Sequence, residues 1–298
     1  MAGHDDGRNG PPRKRSRVRR AAVLLVNAAA VLAALCLALM AAVWWGQERL
    51  IFRPTPLPAD HRWPLAPDVH EVQVNVAGAR LNALHLRLPR PDGLVFYLHG
   101  NAGNLQNWFI NLDFYRALNI DLFMLDYRGY GKSSGQIDGP AQLLGDLRTA
   151  WDQVTPAYAG RPVVLYGRSL GSGLAAQLAA SLPVAQRPEL LLLVSPYRSL
   201  QALTAEHYPW VPAALLRYPL RSDLALQALA GGKRPQLLLL HGERDTLIPP
   251  THSDALAALV PGAQLRHIAE AGHNDLQRFP VFLDAVRSGI RGAVTAGR

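Results

Sequence analysis

Ser169, Asp245 and His273 follow one another down the chain, each just past the end of a strand-like run. A hydroxyl, a carboxylate and an imidazole in that order could carry out nucleophilic acyl transfer. The hydroxyl is a poor nucleophile until a base takes its proton, and a carboxylate can hold the histidine in the tautomer that accepts it. Ser169 lies in Gly167-Arg168-Ser169-Leu170-Gly171. Before it, Pro162-Val163-Val164-Leu165-Tyr166 reads as a strand; after it, Leu170, Leu174 and Leu178 recur at helical spacing among alanines. A serine there stands on a sharp strand-to-helix turn, whose crowding the flanking glycines relieve. A second G-x-S-x-G, Gly131-Lys132-Ser133-Ser134-Gly135, has neither a strand directly before it nor a helical pattern directly after it. It reads as an ordinary loop.

The partners have matching contexts. The buried run Pro235–Leu240 opens into His241-Gly242-Glu243-Arg244-Asp245, and Gln264–Ala269 leads into Ala271-Gly272-His273-Asn274-Asp275. Asp245 is the preferred acid over Glu243 and Asp275, since Asp275 suits the start of a helix running from Leu276. His273 is the candidate base. The run Gly93–Leu98 ends in His99-Gly100-Asn101-Ala102, a glycine-bearing loop whose N–H groups could face a developing oxyanion. Asn101, with Ala102 as the alternative, and Leu170, the residue after the nucleophile, are the candidate donors. His99 and His241 read as structural histidines holding loops, and Asp126 and Arg128 as residues fixing a glycine turn through local hydrogen bonds and charge pairing.

With His99-Gly100-Asn101, Asp126–Ser133, Gly167–Gly171, Ser195-Pro196-Tyr197, Gly242–Asp245 and Gly272–Asp275 taken together, the chain resembles the α/β-hydrolase superfamily. Within it the chain looks like the membrane-anchored serine hydrolases related to lysophospholipases and protein depalmitoylases. The resemblance covers about Val72 to about Arg291. It implies a mostly parallel eight-stranded sheet flanked by helices, a Ser-His-Asp triad, and a small helical cap over residues 197–234, with Tyr197 and Trp210 as candidate substrate contacts. The alternative for 197–234 is a pair of helices packed on the body.

Strands are expected near 72–76, 81–88, 94–98, 120–125, 162–166, 190–194, 235–240 and 264–269. Helices are expected near 104–117, 140–155, 170–182, 251–260 and 276–290. This alternation points to one α/β unit over 71–298. Ahead of it lie a disordered basic tail (1–20), a transmembrane anchor (21–45) and a proline-rich connector (46–70). Ala21–Trp45 has Asn27 as its one clearly polar side chain, enough apolar length to span a bilayer core of about 20 residues. Six basic residues between Arg13 and Arg20 outnumber those following the run. That places the N-terminus in the cytoplasm and the catalytic domain on the far side. A cleaved signal peptide and secretion are the alternative reading.

The net charge is +9, of which the seven basic and two acidic residues of 1–20 contribute +5. The rest is unremarkable, so the charge gives no case for a nucleic-acid partner. The one cysteine, Cys36, lies in the apolar run, so the folded domain has no disulfide and no cysteine nucleophile. No metal-ligand spacing and no nucleotide loop occur; no cofactor is expected. The resulting expectation is a membrane-anchored serine hydrolase acting on a small-molecule or lipid acyl ester or thioester. A serine peptidase on the same fold, or a non-catalytic membrane protein with a hydrolase scaffold, are the other readings.

Overall fold

The computed structural model describes residues 13–297 in two units, one ending at Gly46 and one starting at Gln47. The first unit consists of most of α1 (Arg13–Ile51). Within that helix, Arg17–Ile51 is long and apolar enough to cross a membrane. Its most apolar window has mean hydropathy 2.6, with none of the window buried. The basic stretch from Arg13 to Arg20, expected to be part of a disordered tail, is helical. Arg and Lys are good helix formers and no Gly or Pro separates them from the apolar run. The remainder of that tail, residues 1–12, lies outside the described residues.

The second unit holds β1 (Arg53–Pro54), β2 (Val69–Val76), β3 (Ala79–Leu86), β4 (Leu94–Leu98), β5 (Ala102–Gly103), β6 (Asp121–Leu125), β7 (Val163–Arg168), β8 (Leu190–Val194), β9 (Gln236–Gly242) and β10 (Gln264–Ile268). Its helices are α2 (Leu105–Trp108), α3 (Leu112–Ala117), α4 (Pro140–Val154), α5 (Leu170–Ser181), α6 (Leu200–His207), α7 (Ser222–Ala228), α8 (Thr251–Leu259) and α9 (Pro280–Ala296). Eight strands form one sheet in the order β10-β9-β8-β7-β4-β6-β3-β2. It is parallel from β10 to β6; β3 runs antiparallel to both β6 and β2.

The inner strands are apolar throughout because both faces are covered. Along β4, Leu94, Phe96 and Leu98 join the core beneath α4, α5 and α7, while Val95 and Tyr97 join the core beneath α3 and α9. Burying each such side chain is worth roughly 1.5–3 kcal/mol. Because β4, β7, β9 and β10 are parallel, the loops after them open at one edge, where α/β sheets bind ligands.

Four local expectations change. The helix expected over 104–117 divides into α2 and α3 around Asn111, whose φ is 59°. Leu276–Arg278 is a single 3₁₀ turn, and α9 starts at Pro280, whose fixed φ and missing N–H suit a first helical position. The connector is not a free spacer: β1 pairs in parallel with β5 and Pro56 bridges Gly131. In 197–234, α7 belongs to the body, with Ala225, Leu226 and Leu229 buried against α5 and α8. This amphipathic face needs the core to cover it, so the open part of the segment narrows to α6 and the turn after it.

Candidate active site

β7 delivers the chain directly into Ser169, which takes φ 53° and ψ −120° before α5 begins. A non-glycine residue in that region costs on the order of 1–3 kcal/mol and persists only where its surroundings dictate it. Here the Ser169 N–H donates to Val194 O (2.9 Å) and its carbonyl accepts from the Ser172 N–H (2.9 Å) and hydroxyl (2.6 Å). A Cβ on Gly167 would strike the Gly171 carbonyl, and one on Gly171 would strike the carbonyls of Leu98 and His99. Gly167 is therefore fixed by the close approach of the first turn of α5, and Gly171 by packing against the end of β4.

The Ser169 hydroxyl lies 3.0 Å from His273 Nε2, and His273 Nδ1 lies 2.7 Å from Asp245 Oδ2. With the proton on Nδ1 donated to the carboxylate, Nε2 is left to accept from the serine. The other carboxylate oxygen accepts the N–H groups of Leu247 (3.0 Å) and Ile248 (2.8 Å). Burial pushes the Asp245 carboxyl up, but hydrogen bonds from His241 and His273, the His273 charge and the Ile248 N–H outweigh it, leaving the group below the usual carboxylate range. Asp245 is ionised wherever His273 could need an anionic partner.

Opposite the serine, the loop after β4 comes close enough that a Cβ on Gly100 would sit 3.7 Å from Ser169 Cβ. Leu170 opens α5, so its N–H is among those a helix leaves unbonded. The N–H groups of Leu170 and Asn101 have no hydrogen-bond partner among the described residues. The arrangement offers a general base at the hydroxyl and two unbonded amide N–H groups on the segments that flank it.

A family model described as serine aminopeptidase, S33, matches residues 89–222. An uncharacterized protein of Mycobacterium tuberculosis is 30% identical over 268 residues, 86% of this chain and 91% of that protein. The chain belongs to the α/β-hydrolase superfamily. Alpha/beta hydrolase domain-containing protein 17C of Mus musculus is 27% identical over 218 residues, covering 71% of this hydrolase and 64% of the mouse protein. A Pyrococcus furiosus esterase structure superposes with a TM-score of 0.62 at 17% identity, over 82% of this chain and 98% of that one. At that identity the likeness is one of fold.

The remaining sequence candidates divide. Tyr197 does not reach an open cleft: it is 1% exposed, and its hydroxyl donates to the Leu170 carbonyl (3.2 Å) from the core side of α5. Trp210 is 52% exposed, edge-on to Tyr208. Asp275 stands at the N-cap position of the 3₁₀ turn at Leu276–Arg278, but its side chain makes no cap hydrogen bond; its Oδ1 accepts the Gly272 N–H (2.8 Å) and braces the turn that carries His273. Ser133 is structural: its hydroxyl donates to the Asp126 carbonyl (2.7 Å) and accepts from the Asn82 N–H (2.8 Å).

His99 and His241 do hold loops. His99 Nδ1 donates to the Gly100 carbonyl (2.7 Å), and burial pushes its ring down to about 4. His241 Nδ1 pairs with the Ser253 hydroxyl (2.6 Å); its Nε2 faces Ile248 O (2.8 Å) and lies 3.3 Å from Asp245 Oδ2. His241 therefore also contacts the candidate acid. Asp126 and Arg128 each take a partner, but not one another: Asp126 accepts the Leu105 N–H (3.0 Å). Arg128 instead clasps Asp146 with two hydrogen bonds (2.5 and 2.8 Å), while burial raises Asp126 to about 8.

Sequence reasoning gave no role to Arg168. Its guanidinium donates to the His273 carbonyl (3.1 Å) and to Gln277 Oε1 (3.2 Å), and it stacks over Trp108 at 5.5 Å. It ties the serine turn to the histidine loop. A charged residue at the end of an otherwise apolar strand was the available signal.

Proposed function

We propose that this α/β hydrolase cleaves carboxylic esters or thioesters through an acyl-enzyme on Ser169. The observation that carries the reading is the unbroken hydrogen-bonded line from the serine hydroxyl through His273 to the ionised Asp245. Ser169 Oγ bonds to the acyl carbon while its proton passes to His273 Nε2, and the carbonyl oxygen, now negative, is held by the N–H groups of Asn101 and Leu170. The tetrahedral adduct collapses as His273 gives its proton to the departing alcohol or thiol. Water, deprotonated by the same imidazole, then releases the acid and restores the serine. Asp245 orients the ring and stabilises its cationic form. No step requires a cofactor.

We further read α1 as an uncleaved membrane anchor, with the N-terminus cytoplasmic and the hydrolase extracytoplasmic; its apolar, unburied length and the basic residues before it support this. A lipid or small-molecule acyl ester fits an enzyme held at a bilayer. A serine peptidase is the second reading, favoured by the description of the matching family model. Fold and triad do not set the leaving group, so both share the chemistry up to the acyl-enzyme.

A fluorophosphonate probe, p-nitrophenyl esters of rising acyl length and aminoacyl p-nitroanilides test the proposal together. Labelling of Ser169 with ester turnover far above anilide turnover is the expected result. Preferred anilide turnover selects the peptidase, and failure of Ser169 to label overturns both. Protease added outside sealed membranes should digest the hydrolase domain; protection there, lost once the membranes are opened, would reverse the topology.

A further inference from the structure

Residues 51–55, which the sequence presents as the start of a connector, are hydrogen-bonded to the backbone of the loop after β4. The Arg53 N–H donates to the Asn101 carbonyl (2.8 Å) and the Thr55 N–H to the Gly103 carbonyl (3.0 Å). The Asn101 side-chain amide donates back to the Ile51 carbonyl (3.2 Å). A third group closes the arrangement: the Tyr130 hydroxyl donates to the Asn101 carbonyl (2.7 Å) and accepts from the Arg53 N–H (3.2 Å). Tyr130 is fully buried.

The strap is itself fastened on its other side. Phe52 is buried edge-on against Tyr218, with ring centroids 5.3 Å apart. The Gln47 side chain donates to the Leu215 carbonyl (2.6 Å) and accepts the Arg217 N–H (2.8 Å). Asn101 is thus held through its carbonyl and its side chain, and its N–H remains the unbonded group. Charge stabilisation in a transition state depends on donors already aimed before the charge develops.

We infer that the strap at 51–55 and the Tyr130 hydroxyl are positioning elements of the oxyanion hole, locking the Asn101 peptide so that its N–H faces the developing charge. The inference rests on the acyl-enzyme reading given above. It also means that the catalytic domain starts before Arg53, well upstream of the boundary near residue 71 that the first sheet strand suggests.

The test uses the full-length chain in detergent with Tyr130→Phe and Asn101→Ala, each of which leaves every backbone N–H in place. kcat and KM are measured on p-nitrophenyl acetate, together with the affinity of a trifluoromethyl ketone whose adduct oxygen occupies the same hole. Misaiming a catalytic group costs up to about a hundredfold, so each variant should lose about tenfold in kcat with KM within twofold. The ketone should weaken by the same factor. Unchanged kcat, or a loss of kcat with ketone affinity retained, overturns the inference. A folding defect in Tyr130→Phe, seen by thermal unfolding, leaves Asn101→Ala to decide. If the unmodified chain turns over no acyl ester, the acyl-enzyme reading itself has failed; if it does so and both variants match it, only the positioning role has.

Discussion

Removing the Ser169 hydroxyl takes away the one group that both meets His273 and stands on the strained turn. Ser169→Ala should abolish ester turnover and fluorophosphonate labelling with the unfolding midpoint nearly unchanged; label mapping to Ser133 instead would refute the assignment. Asp245→Asn should lower kcat by roughly 10⁴-fold, because the amide favours the wrong histidine tautomer. Asp275→Asn should cost far less, since an amide oxygen can still accept the Gly272 N–H. A greater loss from Asp275→Asn would mean the acid is misassigned. Beneath the same loops, Asp126 is a buried carboxyl whose pKa is raised to about 8 by desolvation, against a partly offsetting hydrogen bond from the Leu105 N–H. The folded state therefore holds a proton that the unfolded chain gives up near 4. Stability from this group is complete below that value and is lost as pH rises through about 8. Asp126→Asn, which cannot ionise, should gain in unfolding free energy relative to the unmodified chain between pH 5 and pH 8. Denaturant unfolding at the two pH values checks this; a constant difference would show that Asp126 is not held protonated.

At the scale of elements, residues 197–234 have two fates. α7 closes the core, so Leu226→Ala should destabilise by about 2–5 kcal/mol, as for other buried leucine truncations, with the intrinsic chemistry intact. The turn after α6 exposes Tyr208 and Trp210. If this turn meets the acyl chain, Trp210→Ala should flatten the rise of kcat/KM with acyl length while sparing an acetyl ester. The expected rise is about fourfold per methylene, from about 0.8 kcal/mol per buried CH₂. Equal losses on acetyl and long-chain esters would assign Trp210 to the fold. Both fates were compatible with the sequence, because an amphipathic run has the same periodicity whether it covers a core or a ligand.

For the whole molecule, the unit boundary at Gly46 predicts that a chain beginning at Gln47 stays soluble and retains turnover, whereas one beginning at Val69 loses it. Detergent-free fractionation with an ester assay distinguishes them, and an active chain from Val69 would show the strap to be dispensable. The layered α/β architecture and the order of its strands along the chain are legible in the residue order alone, because apolar runs of strand length and glycine-marked turns are local signals. The same signals single out Ser169, Asp245 and His273, since each follows such a run and chemistry restricts the residue type. Contacts between distant segments are set by how the chain packs. Tyr197 turned inward onto Leu170, Arg128 took Asp146 instead of Asp126, Arg168 reached the His273 carbonyl, and Arg53 joined the loop of Asn101. Those pairings join residues up to 105 positions apart in the chain. A polar group's partner is set by which neighbours folding brings within about 3 Å, and no local pattern encodes that distance.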